Sequence, residues 1–232
     1  MMNLDAAQTL ALLKGNSLPS VVQSELERRI LAGVYGMGGR INEQALASAL
    51  GVSRGPIREA CRALVSCGLL EFINNRGFFT RRIGDSEAQD IYDLREDLEA
   101  AAAGRFAEKC SKTAIAEFSR LITEMDAAVQ KEDFDSYYPL NLAFHQTWVA
   151  GIGNVRLLQV HRECVRDLHL LRAHGLVQKG GMTCSNREHK AIYCAFKAHD
   201  PAAAAAAVSA HIKNGKERMF AAIVRDRETQ AA

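Results

Sequence analysis

Two short amphipathic segments that meet at Gly51 leave this 232-residue chain few possible folds. Residues 42–50 (NEQALASAL) place their apolar side chains on one helical face, and Asn42 is a residue type that caps helices. Residues 54–67 (RGPIREACRALVSC) follow Ser53, a second capping residue, and again carry one apolar face. Two such helices across a tight glycine turn predict a helix-turn-helix.

The segments on either side of this pair complete a winged helix-turn-helix. Residues 20–32 (SVVQSELERRILA) predict an amphipathic helix that ends before a glycine-rich stretch. After Gly68, the runs LLEFI and GFFTRRI read as two strands joined by the turn NNR. We therefore expect residues 1–83 to form a winged helix-turn-helix DNA-binding domain.

From Asp85 onward the pattern changes to long helices only. The periodicity and caps predict six of them, at about 85–109, 111–132, 134–151, 154–174, 185–198 and 200–226. Residues 175–184 read as a glycine-rich loop, and Ser185 with Glu188 reads as a capping box that opens the fifth helix. The predicted fold class is mainly α: an N-terminal winged helix-turn-helix followed by an all-α antiparallel helical bundle over residues 84–232.

Composition excludes several classes of protein. The N-terminus has no signal-peptide pattern, and no apolar run approaches the roughly 20 residues of a membrane span. The six cysteines include no CxxC pair, so they read as reduced thiols, and we expect a cytoplasmic protein without membrane contact. Residues 1–84 hold 10 basic and 6 acidic side chains, a net charge of +4, whereas the remainder carries −2.

Arginines at the start of the second helix of the pair are suited to reading DNA. Arg54 and Arg58 lie four residues apart and so project from one face, where each can donate two hydrogen bonds to guanine. Ser53 can bind a phosphate, Gly55 lets the backbone approach closely, and Arg76 at the hairpin tip can enter the minor groove. The alternative is a solvated arginine face, but this spacing inside this motif favours DNA.

The run LASALGVSRGPIREACRALVSCGLLEFINNRGFFT resembles the DNA-binding domain of the GntR superfamily of bacterial transcription regulators. In that family the two helix arginines and the wing tip contact operator DNA, which implies roles for Arg54, Arg58 and the pair Arg76–Gly77. The preceding helix of the family often carries an arginine that touches DNA, and this chain has Gln44 at that position.

Three histidines of the second domain can meet. Asn141 and His145 share a helical face, and the turn at residues 199–201 folds the last two helices back so that His189 and His211 can approach. Imidazoles on neighbouring helices suit Zn²⁺, Ni²⁺ or another late divalent metal. Any one of them alone is more often a packed core or surface histidine, but three in this register favour a metal.

The segments YDLREDLEA, NLAFH and EHKAIYCAF and the final helix resemble the FCD ligand-binding domain of the FadR-like branch of that superfamily. The resemblance implies a small organic acid bound beside a metal. Many FCD domains have Asp where this chain has Asn141, and a neutral amide leaves more of the ion's charge for an anionic ligand to balance. Arg95 is either an effector anchor or an ion pair with Glu99 on the helix surface.

These features fit one of three candidate functions best. The favoured one is a homodimeric transcription regulator, a repressor, that binds palindromic double-stranded operator DNA with an affinity set by a small carboxylate effector. The alternative is a metal-dependent helical-bundle enzyme with an accessory DNA-binding domain, but no Glu-x-x-His pair supports it. A nonspecific architectural DNA-binding protein does not fit a net charge of +2. We therefore expect a regulator and not an enzyme.

Overall fold

The computed structural model describes residues 17–31, 33–178 and 180–231. These residues form nine helices and one two-stranded sheet. The first 16 residues, for which the sequence predicts no signal peptide, and Ala32, predicted to end the first helix, lie outside the described residues. The chain divides after Gly84 into two compact units.

The first unit is a three-helix domain with a hairpin. Helix α1 spans Leu18–Leu31, α2 Glu43–Leu50 and α3 Arg54–Ser66, and strands β1 (Leu70–Ile73) and β2 (Gly77–Thr80) follow. The two strands pair antiparallel in continuous register, and a further bridge joins Arg40 to Phe79. This arrangement is a winged helix-turn-helix, as the sequence predicts.

Capping chemistry sets the turn between α2 and α3. The Asn42 side chain accepts a hydrogen bond from the Ala45 amide at 3.0 Å, which satisfies a donor that the helix leaves open. Gly51 ends α2 with a φ of 66°, a left-handed conformation that glycine adopts without strain. Ser53 has the extended backbone of a cap but its hydroxyl makes no capping bond, so the predicted side-chain cap is wrong.

The second unit contains only helices. Helix α4 spans Asp85–Lys109, α5 Lys112–Gln130, α6 Phe134–Gly151, α7 Val155–Val177, α8 Gly181–Lys197 and α9 Pro201–Ala231. Its core is a cluster of aromatic rings whose members lie 5.0 to 6.4 Å apart by centroid: Phe106, Phe118, Phe144, Trp148 and Phe196. This core fixes the inward faces of the helices that carry the candidate metal ligands. The predicted fold class is confirmed.

The sequence reading is wrong at the junction of α7 and α8. The predicted loop at 175–184 is short, because α7 continues to Val177 and α8 begins at Gly181. Gly180, with a φ of 80°, makes the break. Ser185 is buried inside α8 and opens no helix, so the predicted capping box does not exist. Burial of Leu176 and Gly181 offsets the low helix propensity of this glycine-rich segment.

Candidate metal centre and nucleic-acid interface

Three buried histidines converge from three helices of the second unit. His145 lies on α6, His189 on α8 and His211 on α9, and each offers a ring nitrogen within 4.8 Å of the other two. The Nε2 atoms of His145 and His211 are 3.2 Å apart, and the rings of His189 and His211 are 4.6 Å apart by centroid. The structure therefore brings together the three histidines singled out in the sequence.

Carboxylates on the far side of two rings orient them. Glu99 Oε2 lies 2.6 Å from Nδ1 of His145, and Glu188 Oε2 lies 2.7 Å from Nδ1 of His211. A carboxylate oxygen only accepts, so we assign the proton to Nδ1 in both rings. Each Nε2 then presents a lone pair to the other at 3.2 Å, a repulsive arrangement that a cation would make attractive.

Burial keeps these two rings neutral. It lowers the pKa of His145 well below the usual value, against the raising effect of Glu99. It also lowers the pKa of His211, with Glu188 acting in the opposite direction. Neutral imidazole is the form that coordinates a metal, so the site is ready to bind one without first losing protons.

Glu99 is the centre of a buried polar network that the sequence analysis did not identify. Its carboxylate accepts hydrogen bonds from Arg95 Nε at 2.6 Å, His145 Nδ1 at 2.6 Å and His161 Nε2 at 3.0 Å. Burial alone would raise the pKa of Glu99, but the charge of Arg95 and the histidine hydrogen bonds hold it well below its usual value. In the sequence, the i, i+4 spacing of Arg95 and Glu99 indicates an ion pair on the helix surface. In the structure both side chains are buried, and the pair belongs to the network around Glu99.

Arg95 is part of that network and also faces a cavity. The sequence predicts either an effector anchor or an ion pair with Glu99 on the helix surface. Arg95 does pair with Glu99, but the pair is buried. Arg95 lines a narrow cavity of about 30 Å³ that borders one of the three histidines, His211. The remaining lining residues are Tyr92, Asn141, Leu176, Ser185, His211, Gly215 and Arg218.

Arg218 is a second cavity arginine that the sequence analysis missed. Its Nη1 and Nη2 donate to the two oxygens of Glu188 at 2.7 and 2.8 Å. Burial would raise the pKa of Glu188, but hydrogen bonds from His211 and Arg218 lower it to about 2. Each histidine-orienting carboxylate is thus held ionised by its own arginine.

Asn141 lies one turn before His145 on α6 and lines the same cavity. It is buried, and among the described residues its amide nitrogen has no hydrogen-bond partner. An amide oxygen can ligate a metal without adding charge. Three imidazoles, a neighbouring amide and facing nitrogen lone pairs fit a late divalent ion such as Zn²⁺ or Ni²⁺.

The residues proposed for DNA contact lie exposed on the first unit. Arg54 and Arg58 are exposed on α3, and the Arg58 side chain retains 55% of its accessible surface. Its Nε donates to Glu43 Oε2 at 2.7 Å, which links α3 to the first turn of α2. Ser53 and Gly55 are exposed at the start of the same helix.

The exposed surface continues along α2 and the hairpin. Gln44 is exposed in the first turn of α2. At the hairpin tip, Asn75 and Gly77 adopt positive φ values of 60° and 97°, which make the turn tight. Arg76 lies between them, exposed, with its guanidinium 5.2 Å from the centre of the Phe79 ring.

The fold of the chain agrees with the family whose models match it. Residues 18–80 match the bacterial regulatory proteins of the gntR family, and residues 90–214 match the FCD domain. The chain is therefore a member of the gntR family with an FCD domain. Members of this family are DNA-binding transcription regulators and not enzymes.

Named relatives support this membership. An uncharacterised HTH-type regulator of Bacillus subtilis, YdhC, is 30% identical over 198 residues, 84% of this chain and 88% of that protein. The gluconate operon transcriptional repressor of Bacillus licheniformis is 27% identical over 139 residues, 60% of this chain and 57% of that repressor.

Solved structures show the same fold. Escherichia coli McbR/YncC superposes with a TM-score of 0.76 at 20% identity, covering 88% of this chain and 98% of that one. A structure described as a putative transcriptional regulator GntR from Rhodococcus sp. RHA1 superposes with a TM-score of 0.73 at 21% identity. The match covers 89% of this chain and 99% of that one.

Among the helices that the structure describes, none combines the length and apolar character needed to cross a lipid bilayer.

Proposed function

We propose that this regulator is a repressor whose operator affinity is set by a small organic acid bound beside a divalent metal. The observation that carries the proposal is the convergence of His145, His189 and His211 within 4.8 Å, next to a cavity that two arginines line. A metal at the histidines supplies a positive charge that attracts a carboxylate. The chain itself keeps the rings of His145 and His211 neutral and oriented, and it places Arg95 and Arg218 in the wall of the cavity.

On the DNA side, we propose that a homodimer reads a palindrome, one half-site per protomer. Arg54 and Arg58 supply base contacts in the major groove, and Arg76–Gly77 reaches the minor groove. Ser53, with its hydroxyl free of a capping bond, is placed to bind a phosphate, and Gly55 allows close approach. Gln44 adds a polar contact from α2. The similarity to the gluconate operon transcriptional repressor of Bacillus licheniformis supports repression as the mode of action.

The DNA assignment is tested with an operator selected from random duplexes by the purified protein. We expect Arg58→Ala to weaken binding to that operator by about 1–3 kcal/mol, roughly tenfold to over a hundredfold, measured by fluorescence anisotropy. Arg28→Ala removes the same charge from a side chain that pairs with Glu25 on α1, and we expect it to bind almost normally. Equal binding by Arg58→Ala and the wild type would refute the recognition-helix assignment.

The effector assignment is tested by elemental analysis and thermal shift against a panel of small carboxylates, with and without chelator. We expect near-stoichiometric metal in the wild type and a chelator-sensitive shift with one class of acid. His189→Ala should lose both, whereas the exposed His199→Ala should keep both. Wild-type metal content in His189→Ala would rule out the ligand set.

A further inference from the structure

One ion pair joins the two helices of the helix-turn-helix. Glu43, the first residue of α2, accepts a hydrogen bond at 2.7 Å from Nε of Arg58, which lies 15 residues later on α3. By contrast, Arg28 and Arg29 pair with Glu25 inside the single helix α1. The Glu43–Arg58 pair therefore fixes an exposed arginine of α3 relative to a second element of the domain.

The carboxylate is the better fixed of the two partners. The Glu43 side chain is 13% exposed, whereas that of Arg58 is 55% exposed. Glu43 stands in the first turn of α2, where the helix dipole and the open backbone N–H groups favour a negative charge. Arg58 is thus held by a nearly buried carboxylate whose own position α2 sets.

The hydrogen bond uses one edge of the Arg58 guanidinium and leaves its end open. A guanidinium carries five N–H donors, one on Nε and two on each terminal nitrogen. Nε is bound to Glu43, and Nη1 and Nη2 have no hydrogen-bond partner within the part of the chain that the structure describes. These two nitrogens can donate together to O6 and N7 of one guanine. The pair therefore holds the stem of Arg58 and leaves its base-reading end available.

We infer that Glu43 is a positioning residue for sequence recognition, because its bond to Nε presents the terminal nitrogens of Arg58 to a base. The inference rests on the proposed role of Arg58 in the major groove and adds a residue that acts through it. A side chain that is already held loses less conformational freedom on binding, which strengthens the correct contact. The negative charge of Glu43 also repels phosphates, which weakens binding to unrelated sequences. Both effects raise discrimination between sequences without a contact from Glu43 to DNA.

Arg54 provides an internal comparison. It is exposed at the first residue of α3, and no hydrogen bond or ion pair holds it among the residues described. A base pair that Arg54 reads should therefore not depend on Glu43. This difference separates a positioning effect on Arg58 from a general disturbance of the helix pair.

The test measures base discrimination by the full-length protein on the operator selected from random duplexes. Arg58→Ala and Arg54→Ala first identify the base pair that each arginine reads, as the position where each variant loses its preference. Kd values are then measured by fluorescence anisotropy for the operator and for duplexes substituted at each of these positions. We expect the wild type to discriminate by roughly tenfold to over a hundredfold at each position.

Glu43→Asp keeps the charge but moves the carboxylate back by about 1.5 Å, the length of one carbon–carbon bond. The bond to Nε is then lost, or Arg58 is drawn back with the shorter side chain. We expect discrimination at the Arg58 position to fall roughly two- to tenfold, the change that corresponds to one side chain left unfixed. Discrimination at the Arg54 position and binding to random duplex should match the wild type. Asp is favoured in the first turn of a helix, so α2 should still form.

Glu43→Gln removes the charge but keeps an oxygen that can accept from Nε of Arg58. We expect it to retain most of the discrimination and to bind random duplex more tightly, most clearly at low salt. Glu43→Ala has the same charge as Glu43→Gln but no acceptor, and it should discriminate roughly two- to tenfold less at the Arg58 position.

Glu59→Gln is the matched control on α3. Glu59 is exposed beside Arg58 in the sequence, and it makes no hydrogen bond or ion pair with any described residue. Neutralising it should tighten binding to random duplex, as in Glu43→Gln, and leave discrimination at the Arg58 position as in the wild type. Circular dichroism and thermal unfolding check that each variant folds.

The outcomes separate this inference from the proposed function. Wild-type discrimination at the Arg58 position in Glu43→Asp would overturn the positioning role and leave the recognition-helix assignment intact. If Glu43→Asp does not fold, equal discrimination by Glu43→Ala and Glu43→Gln would overturn it instead. An equal loss at the Arg54 and Arg58 positions would also refute the inference, because the whole helix pair would then be disturbed. Unchanged base preferences in Arg58→Ala would overturn the recognition-helix assignment and this inference with it.

Discussion

Glu99 shows how one buried side chain can stabilise a site that it does not enter. It is fully buried and accepts hydrogen bonds from Arg95, His145 and His161. We expect Glu99→Gln to lower the free energy of unfolding of the helical unit by about 3–5 kcal/mol, because it leaves the Arg95 charge buried without a counter-ion. Urea denaturation followed by fluorescence measures this, since the single tryptophan, Trp148, is buried in that unit.

A surface pair in the same unit provides the control for Glu99→Gln. Glu117 pairs with Arg120 on α5, and both side chains are largely exposed. Glu117→Gln makes the same chemical change, but water screens the pair, so we expect a loss below about 1 kcal/mol. Similar losses for the two variants would contradict the structural role assigned to the Glu99 network.

The cysteines provide a prediction with a pH dependence. Burial, with a smaller contribution from Glu43, raises the pKa of Cys61 to about 12, and burial raises the pKa of Cys164 to about 11. Cys194 is exposed. At pH 8 we expect iodoacetamide to label Cys194 first and to leave Cys61 and Cys164 unlabelled until the chain unfolds, as mass spectrometry of the peptides would show.

The same raised pKa values of Cys61 and Cys164 predict that the stability of the fold falls at alkaline pH. The unfolded thiol ionises near pH 9, whereas the folded thiols of Cys61 and Cys164 resist ionisation up to about pH 12 and 11. The stability that these buried neutral thiols contribute is therefore fully present below pH 9. It is lost as the pH rises from about 9 to about 11 for Cys164 and to about 12 for Cys61. Rapid labelling of Cys61 in the folded protein at pH 8 would contradict the burial on which both statements rest.

At the scale of elements, the cap of α9 supports the helix that carries His211. Asp200 Oδ1 accepts from the Ala203 amide at 3.0 Å, and Pro201 occupies the first helical position, as the sequence predicts. We expect Asp200→Ala to destabilise the helical unit by about 1 kcal/mol in urea denaturation. Asp200→Asn keeps an acceptor at the same place and should match the wild type, and a loss as large as that of the alanine variant would exclude the capping explanation.

The junction of α7 and α8 shows the limit of local sequence signals. Gly175, Gly180 and Gly181 lie close together, and the sequence predicts a loop there. Only Gly180 breaks the helix, because it alone of the three has a positive φ. Every glycine can adopt a positive φ, and this freedom is visible in the sequence. Which of the three glycines adopts it depends on tertiary packing, such as the burial of Leu176.

At the scale of the whole molecule, the mode of DNA binding predicts the oligomeric state. A helix-turn-helix protein that reads a palindrome uses two copies related by a two-fold axis. We expect light scattering to give a mass twice the 25.4 kDa of one chain, and footprinting to protect half-sites about one helical turn, or a multiple of it, apart. A monomer that protects a single half-site would contradict the proposed dimer.

The winged helix-turn-helix, the helical second unit and the convergence of His145, His189 and His211 can all be predicted from the sequence. These follow from periodicity, caps and spacing, which act within about one helical turn and are therefore visible along the chain. Asn141 and the exposed arginines of α3 were likewise found from spacing, together with the family resemblance.

The carboxylates and arginines that support those histidines become visible only in the folded chain. Glu99 and His161 are 62 residues apart, and Glu188 and Arg218 are 30 apart, so no local pattern pairs them. Burial also changed the meaning of the Arg95–Glu99 spacing from a surface ion pair to a buried one. The energies that orient a metal ligand and balance its charge depend on distance and dielectric in three dimensions, and the order of residues along the chain does not specify either.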